Sequence, residues 1–207
     1  MIRRFAVCFF TLSLILLAAV PLLAQVVTPF SADMKFASAK GMSGTGKLYF
    51  SGNKVRMEMS ARGQETIIIS DQTRKIAYML MPQQRMYMEM PTNAQGAGRR
   101  GPDWQTYDPT NPCQGLADTT CQKIGTEVVN GSVCTKWQFT GKSTSSSRTV
   151  WIDHKTGIPI KSLSADGTTM ELSNIQQGPQ SPGLFEVPAG YKKFDMGGMM
   201  QNMQHPE

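Results

Sequence analysis

The sequence predicts an all-β protein in which about eleven strands form one open antiparallel half-barrel, connected as a meander. The first observation is a set of short runs in which apolar and polar residues alternate with a period of two, as in half-buried strands. The second is the turn residues that separate most of these runs. The third is that no sustained helical period occurs after residue 24, so few or no helices are expected there.

The first six runs form the N-terminal half of the predicted sheet. They lie at residues 30–38, 45–50, 54–60, 64–70, 75–81 and 86–90. Most are separated by turn sequences, which are Lys40-Gly41, Ser51-Gly52-Asn53, Arg62-Gly63, Asp71-Gln72-Thr73 and Pro82-Gln83-Gln84. Turns this short favour antiparallel hairpins between consecutive strands.

The last five runs form the C-terminal half. They lie at residues 123–129, 132–140, 147–153, 158–164 and 168–175. Asn130-Gly131 between the first two of these runs is a strong signal for a two-residue hairpin turn. Gly157 can take a positive φ, and Pro159 suits the start of a returning strand.

The N-terminal residues 1–24 are predicted to be a signal peptide. Arg3 and Arg4 precede an almost wholly apolar run, residues 5–23, and Ala24 is placed for cleavage. An uncleaved membrane anchor is the alternative, because the run is about long enough to span a bilayer. No cysteine stands directly after the run, where a bacterial lipoprotein would carry the lipidated residue, so the protein is not expected to be lipidated. We therefore expect a periplasmic or secreted protein that does not span the membrane after cleavage.

The rest of the chain is predicted to be one domain, residues 25–195, followed by a disordered methionine-rich tail, residues 196–207. A flexible connection between the two halves is expected at residues 92–120, either as a plain connector or as a lid. Loss of the signal peptide lowers the formal net charge from +6 to +4. This mild charge, the expected export and the lack of a basic face with interleaved aromatics argue against nucleic acid as a partner.

Two C-terminal segments carry a resemblance to a known superfamily. Residues 150–161 read Val-Trp-Ile-Asp-His-Lys-Thr-Gly-Ile-Pro-Ile-Lys, and residues 184–191 read Leu-Phe-Glu-Val-Pro-Ala-Gly-Tyr. Together they resemble the C-terminal half of the bacterial lipoprotein-carrier superfamily, which comprises the Lol carriers and many uncharacterised periplasmic relatives. The resemblance implies a curved, unclosed antiparallel barrel whose hydrophobic concave face holds acyl chains.

The chain also departs from the superfamily pattern. The carriers begin with a helix that packs in the concavity of the sheet, and residues 25–30 are too short to form one. Residues 92–120 contain Gly-Ala-Gly-Arg-Arg-Gly-Pro and Asp-Pro-Thr-Asn-Pro, which are loop sequences. The sequence therefore predicts a generic relative of unknown function rather than one of the named carriers.

Three cysteines follow the signal peptide, namely Cys113, Cys121 and Cys134. In an oxidising compartment we expect one disulfide and one free thiol. The Asn130-Gly131 hairpin would place Cys134 opposite Glu127 and several residues from Cys121. A regular ladder therefore disfavours a Cys121–Cys134 bond. Cys113 can reach either partner, and its bond to Cys121 is slightly favoured.

Methionine is over-represented, with fifteen residues in the chain. Strand parity predicts a methionine-lined apolar groove, because methionine is flexible and polarizable and adapts to irregular apolar ligands. The candidate groove residues are Met57, Met59, Met79, Met81, Met86 and Met88. The alternative is an ordinary sheet core. A second alternative is a soft metal such as Cu(I), for which the tail offers Met196, Met199, Met200, Met203 and His205.

The function predicted from the sequence is non-catalytic binding of an apolar ligand on the concave face, with a lipid or a lipoprotein acyl chain as the partner. No cofactor, metal or enzymatic activity is expected. His154 and His205 are the only histidines, and no nucleophile-elbow, phosphate-binding or zinc-ligand pattern occurs. The alternatives are copper binding through Met and His, or a structural interaction module of the cell envelope. The sequence carries no signal for an oligomeric state.

Overall fold

The described residues form one twelve-stranded sheet, which is antiparallel at every pairing except that of β12 with β6. A computed structural model describes residues 28–92, 107–142 and 146–194. The strands are β1 (Phe30–Ala37), β2 (Ser43–Ser51), β3 (Lys54–Ala61), β4 (Gln64–Asp71), β5 (Ile76–Met81), β6 (Met86–Pro91), β7 (Thr119–Val129), β8 (Ser132–Gly141), β9 (Ser147–Asp153), β10 (Pro159–Ser164), β11 (Thr169–Gln177) and β12 (Lys192–Lys193). Two 3-10 helices, Pro82–Gln84 and Pro182–Phe185, are the helical elements in these ranges.

The order of strands across the sheet is β12-β6-β5-β4-β3-β2-β1-β11-β10-β9-β8-β7. The two outermost strands, β12 and β7, are not paired with each other, so the described sheet is open. The predicted all-β fold and open antiparallel sheet are confirmed, and all eleven predicted strands are present. No helix among the described residues is long and apolar enough to cross a membrane.

The two halves of the sheet meet at its centre. Strand β1, which comes first along the chain, lies between β2 and β11. The buried pair Met34 and Leu172 lies directly across the β1–β11 junction. Each half is therefore a meander, and the sheet becomes continuous only when the first and the eleventh strands pair.

The hairpin between β7 and β8 has the turn expected from its sequence. Asn130 and Gly131 both have positive φ, at 49° and 81°, as a type I′ turn requires. The register that follows places Cys134 opposite Glu127 and Cys121 opposite Phe139. The amide of Asn130 also donates to the carbonyl oxygen of Leu172, with 2.7 Å between the two atoms, and so ties this hairpin to β11.

Apolar side chains are buried on both sides of the sheet. The largest cluster joins the two halves and contains Phe30, Met34, Leu48, Phe50, Val55, Met57, Trp151, Ile160 and Leu172, among others. A second cluster on β4 and β5 contains Ile67, Ile69, Leu80 and Phe185. A third, on β8 and β9, contains Tyr107, Phe139, Val150 and Ile152. The two smaller clusters are completed by residues outside the long strands, Phe185 and Tyr107.

Candidate functional site

Four apolar residues stand in one row across strands β3 to β6. Met57 lies directly opposite Ile68, Ile68 opposite Met79, and Met79 opposite Met88. Residues that are directly opposite in neighbouring strands project from the same face of a sheet. The row is therefore a continuous apolar strip across four strands.

A second row runs beside the first. Met81 lies directly opposite Met86, and Met59 lies opposite Thr66. Because each of these methionines is two residues from a member of the first row, all of them project from the same face. The register thus brings together the six methionines proposed from the sequence. We call this surface the methionine face, and it comprises Met57, Met59, Ile68, Met79, Met81, Met86, Met88 and Met90.

Burial is graded along the methionine face. Met57 is only 3% exposed and belongs to the central core. Met59 and Ile68 are half-buried and pack against that core. The methionines of β5 and β6, namely Met79, Met81, Met86, Met88 and Met90, are half-buried without belonging to it. The face therefore changes from core at β3 to accessible surface at β6.

The opposite face of the same strands is closed by the chain itself. Residues 182–191, which we call the C-terminal segment, place Phe185 against Ile69 and Leu80. Buried Arg56 fixes the segment, because its Nη1 donates to the carbonyl oxygen of Leu184 at 3.0 Å. The same guanidinium is paired through Nε with Glu58, with 2.7 Å between the donor and Oε1. The C-terminal segment thus covers part of one face of β3 to β5, and the methionine face is the other.

Two glycines in β2, Gly44 and Gly46, lie where a side chain would overlap neighbouring atoms, and at Gly44 these include the ring of Phe36. Gly46 lies opposite Met59 on one side and opposite Met34 on the other, so no side chain stands between these two methionines. A methyl group at Gly46 would overlap the carbonyl oxygen of Glu58.

The described end of the connection between the halves packs on β8 and β9. Tyr107 is buried, contacts Phe139 edge-on at 5.5 Å between ring centroids, and bonds through its backbone N–H to the carbonyl oxygen of Gly157. Leu116 and Cys121 pack against the same cluster. Residues 107–118 therefore cover the third apolar cluster, and residues 93–106 lie outside the described part of the chain.

The Asp-His-Lys-Thr-Gly turn has a structural role. The carboxylate of Asp153 accepts hydrogen bonds from the backbone N–H groups of Lys155 and Thr156 and from the Thr156 hydroxyl. Gly157 has φ of +69°, and a Cβ there would overlap the carbonyl oxygen of Tyr107. This turn therefore supports the connection, while the side chain of His154 is exposed.

Trp151, just before this turn, is a buried indole with charged neighbours. Its Nε1 donates to Glu127 at 2.7 Å. The ammonium groups of Lys136 and Lys161 lie 4.7 and 5.3 Å from the centre of its ring. The three residues are directly opposite one another on β8, β9 and β10, so both lysines cover the ring within the sheet. Packing in the largest cluster and the cation–π contacts of both lysines account for the burial of Trp151.

The cysteines have distinct environments. Cys113 is bonded to Cys121, with 5.7 Å between the Cα atoms. Cys134 is a fully buried free thiol. Burial, with a smaller contribution from the charge of Asp153, raises the pKa of Cys134 to about 11. This thiol is therefore protonated and unreactive at neutral pH.

The described residues contain no group of three or more His, Cys, Asp or Glu side chains placed to hold a metal ion. The tail residues considered for copper, Met196, Met199, Met200, Met203 and His205, lie outside the described residues. The same is true of the predicted signal peptide at residues 1–24.

The sequence profile of a family described as "Domain of unknown function (DUF4412)" matches residues 31–157. The chain belongs to this family. The match covers β1 to β9 and includes the whole methionine face. The membership predicted from the sequence, in a family of unknown function, is confirmed, and no curated protein matches the chain.

Solved structures resemble the fold at low sequence identity. An uncharacterized conserved protein from Thermus thermophilus is 10% identical with a TM-score of 0.57, and the match covers 82% of this chain and 91% of that one. The MucA/MucB complex of Pseudomonas aeruginosa contains a chain that is 14% identical with a TM-score of 0.49, at 78% and 56% coverage. A LolA superfamily protein from Nitrosomonas europaea is 10% identical with a TM-score of 0.38, at 78% and 91% coverage. The first of these likenesses supports the fold.

Proposed function

We propose that this protein is a non-catalytic binding protein of the periplasm or the extracellular space, and that it holds a lipid or acyl chain on the methionine face. The observation that carries the proposal is the register of β3 to β6. It gathers five half-buried methionines on one accessible surface, next to a core that is already complete. An apolar surface in this position gains free energy when an apolar chain removes it from water.

The choice of methionine supports a ligand of variable shape. Methionine has three rotatable side-chain bonds and a polarizable sulfur, so a surface made of it can repack around acyl chains of different length. The opposite face of β5 instead carries Tyr78 and Leu80, which are packed under the C-terminal segment. The apolar residue types of β5 therefore differ between the face that the C-terminal segment covers and the face proposed to bind the ligand.

The proposed compartment agrees with the cysteine chemistry. A disulfide such as Cys113–Cys121 persists in exported proteins and is rare in the cytosol. The predicted signal peptide at residues 1–24 supports the same location.

The substitution Met88→Asp tests the proposal. Met88 is half-buried at the accessible end of the methionine face, so the variant should fold, whereas the new carboxylate should oppose an apolar ligand. We expect binding of a fluorescent fatty acid to weaken tenfold or more, with an unchanged circular dichroism spectrum. Met42→Asp is the matched control, because Met42 is 49% exposed in the turn before β2 and should bind as the wild type does.

Two further variants separate a binding surface from a core. Met57→Asp should unfold the protein, because Met57 is buried in the central cluster. Met88→Ser provides a milder change should Met88→Asp fail to fold. A folded Met88 variant that binds the fatty acid as tightly as the wild type would show that the ligand does not use this face.

A further inference from the structure

The methionines of β5 and β6 form two directly opposed pairs. Met79 faces Met88, and Met81 faces Met86. Directly opposite residues have Cβ atoms about 5 Å apart. Neighbours on one face of a strand are about 7 Å apart. Four thioethers on flexible side chains therefore originate from a patch of about 5 by 7 Å.

Methionine is confined to one face of these two strands. All five methionines of β5 and β6 project from the methionine face. The opposite face of the same strands carries Ile76, Tyr78, Leu80 and Tyr87 as its apolar residues. A general need for apolar strand residues would not separate the two faces in this way. An acyl chain would use the flexibility of these side chains, and the same arrangement also places five sulfur atoms on one side of the two strands.

The chemistry of the patch restricts what it can bind. Thioethers are neutral, soft ligands that select Cu(I) and similar ions rather than Mg²⁺, Ca²⁺ or other hard cations. The four residues are half-buried, so an ion can reach the sulfur atoms and still be partly shielded from water. We infer that Met79, Met81, Met86 and Met88 form a binding site for a soft monovalent metal ion of the Cu(I) and Ag(I) class.

This inference goes beyond the proposed binding of an apolar chain and is separable from it. Leucine has nearly the volume and apolar character of methionine but has no sulfur, so Met→Leu changes are well tolerated. Changing Met79, Met81, Met86 and Met88 all to Leu should therefore abolish metal binding and leave the fold unchanged. Metal binding is measured without any fatty acid, and Met88→Asp is tested with a fatty acid and no metal, so failure of one proposal is distinguishable from failure of the other.

The experiment uses the exported chain, residues 25–207, and Ag(I) as the probe. Cys134→Ala serves as the background, because a free thiol binds Ag(I) by itself. With methyl-¹³C methionine, one equivalent of Ag(I) should shift the NMR signals of Met79, Met81, Met86 and Met88. Native mass spectrometry should then find one Ag(I) fewer on the four-leucine variant than on its background, with an unchanged circular dichroism spectrum.

A second variant tests the tail as the competing site. Met196, Met199, Met200 and Met203 are changed to Leu in the same Cys134→Ala background. If the sheet holds the ion, the four β5 and β6 methionine signals still shift in this variant. If those signals do not move, or if the four-leucine variant binds as many Ag(I) ions as its background, the assignment is wrong.

Discussion

Individual glycines show how the turn at residues 153–157 is constrained. At Gly157 two requirements coincide, a positive φ and close contact with the backbone of Tyr107. At Gly63 the first requirement is present, with φ of +75°, but no atom lies within 4 Å of the position of a Cβ. Alanine substitutions at Gly157 and Gly63 therefore separate the energetic cost of backbone strain from the cost of steric overlap.

We expect Gly157→Ala to destabilise the protein by about 2 kcal/mol more than Gly63→Ala, because only the first must also displace the Tyr107 carbonyl. Both variants place an alanine in the left-handed region, which costs roughly 1–2 kcal/mol. Overpacking of the kind expected at Gly157 typically costs about 1–3 kcal/mol in addition. Urea denaturation of both variants and the wild type measures the difference. Equal losses would mean that the connection does not rest on this turn.

At the scale of elements, a buried arginine holds the C-terminal segment to β3 in addition to the packing of Phe185. Arg56 joins β3 to the segment through the carbonyl oxygen of Leu184 and is 8% exposed. Without the guanidinium, the carbonyl of Leu184 loses its partner and Glu58 loses its counter-ion. Both losses should weaken the attachment of the C-terminal segment, which packs on the face opposite the methionine face.

We expect Arg56→Met to lower the free energy of unfolding by about 2 kcal/mol, because the half-buried carbonyl of Leu184 and the carboxylate of Glu58 lose their partner. Hydrogen exchange should also accelerate at residues 182–191 before the rest of the sheet opens. Arg74→Met is the control, because Arg74 is exposed in the turn between β4 and β5. Its effect should stay within about 0.5 kcal/mol. An Arg56 variant as stable as this control would contradict the proposed role of the arginine.

The elements that the sequence predicted are those whose signal is local. Alternation and turn residues located the eleven long strands, and Asn130-Gly131 fixed the register of β7 against β8. Strand β12 was missed because two residues, Lys192 and Lys193, carry no periodicity, and only their parallel pairing with β6 defines them. Parity placed each methionine pair on one face of its own strand. Only the pairing of neighbouring strands shows that these faces lie on the same side of the sheet. Only the burial of the side chains shows that Met57 belongs to the core, whereas the other methionines of the face are half-buried.

At the scale of the whole molecule, the sheet joins distant parts of the chain at its centre and ends in two unlike edges. On one side β12 covers part of β6. On the other side β7 pairs only with β8 among the described residues. The register of β7 is irregular between Lys123 and Gly125. A bulge and a lysine on an outer strand discourage pairing with a second chain.

This arrangement predicts a gradient of hydrogen exchange across the sheet. Strand β1 is bonded on both sides, and Phe30 and Met34 within it are each 1% exposed. Its amides should exchange only through global unfolding, with an opening free energy equal to that of the whole domain. In β7, Ile124 and Val128 are 46% and 66% exposed, so its amides should exchange through local fraying at lower free energy. Hydrogen exchange at several low concentrations of denaturant measures both values. If β1 exchanges as fast as β7, the halves open independently and the pairing of β1 with β11 does not hold the sheet together.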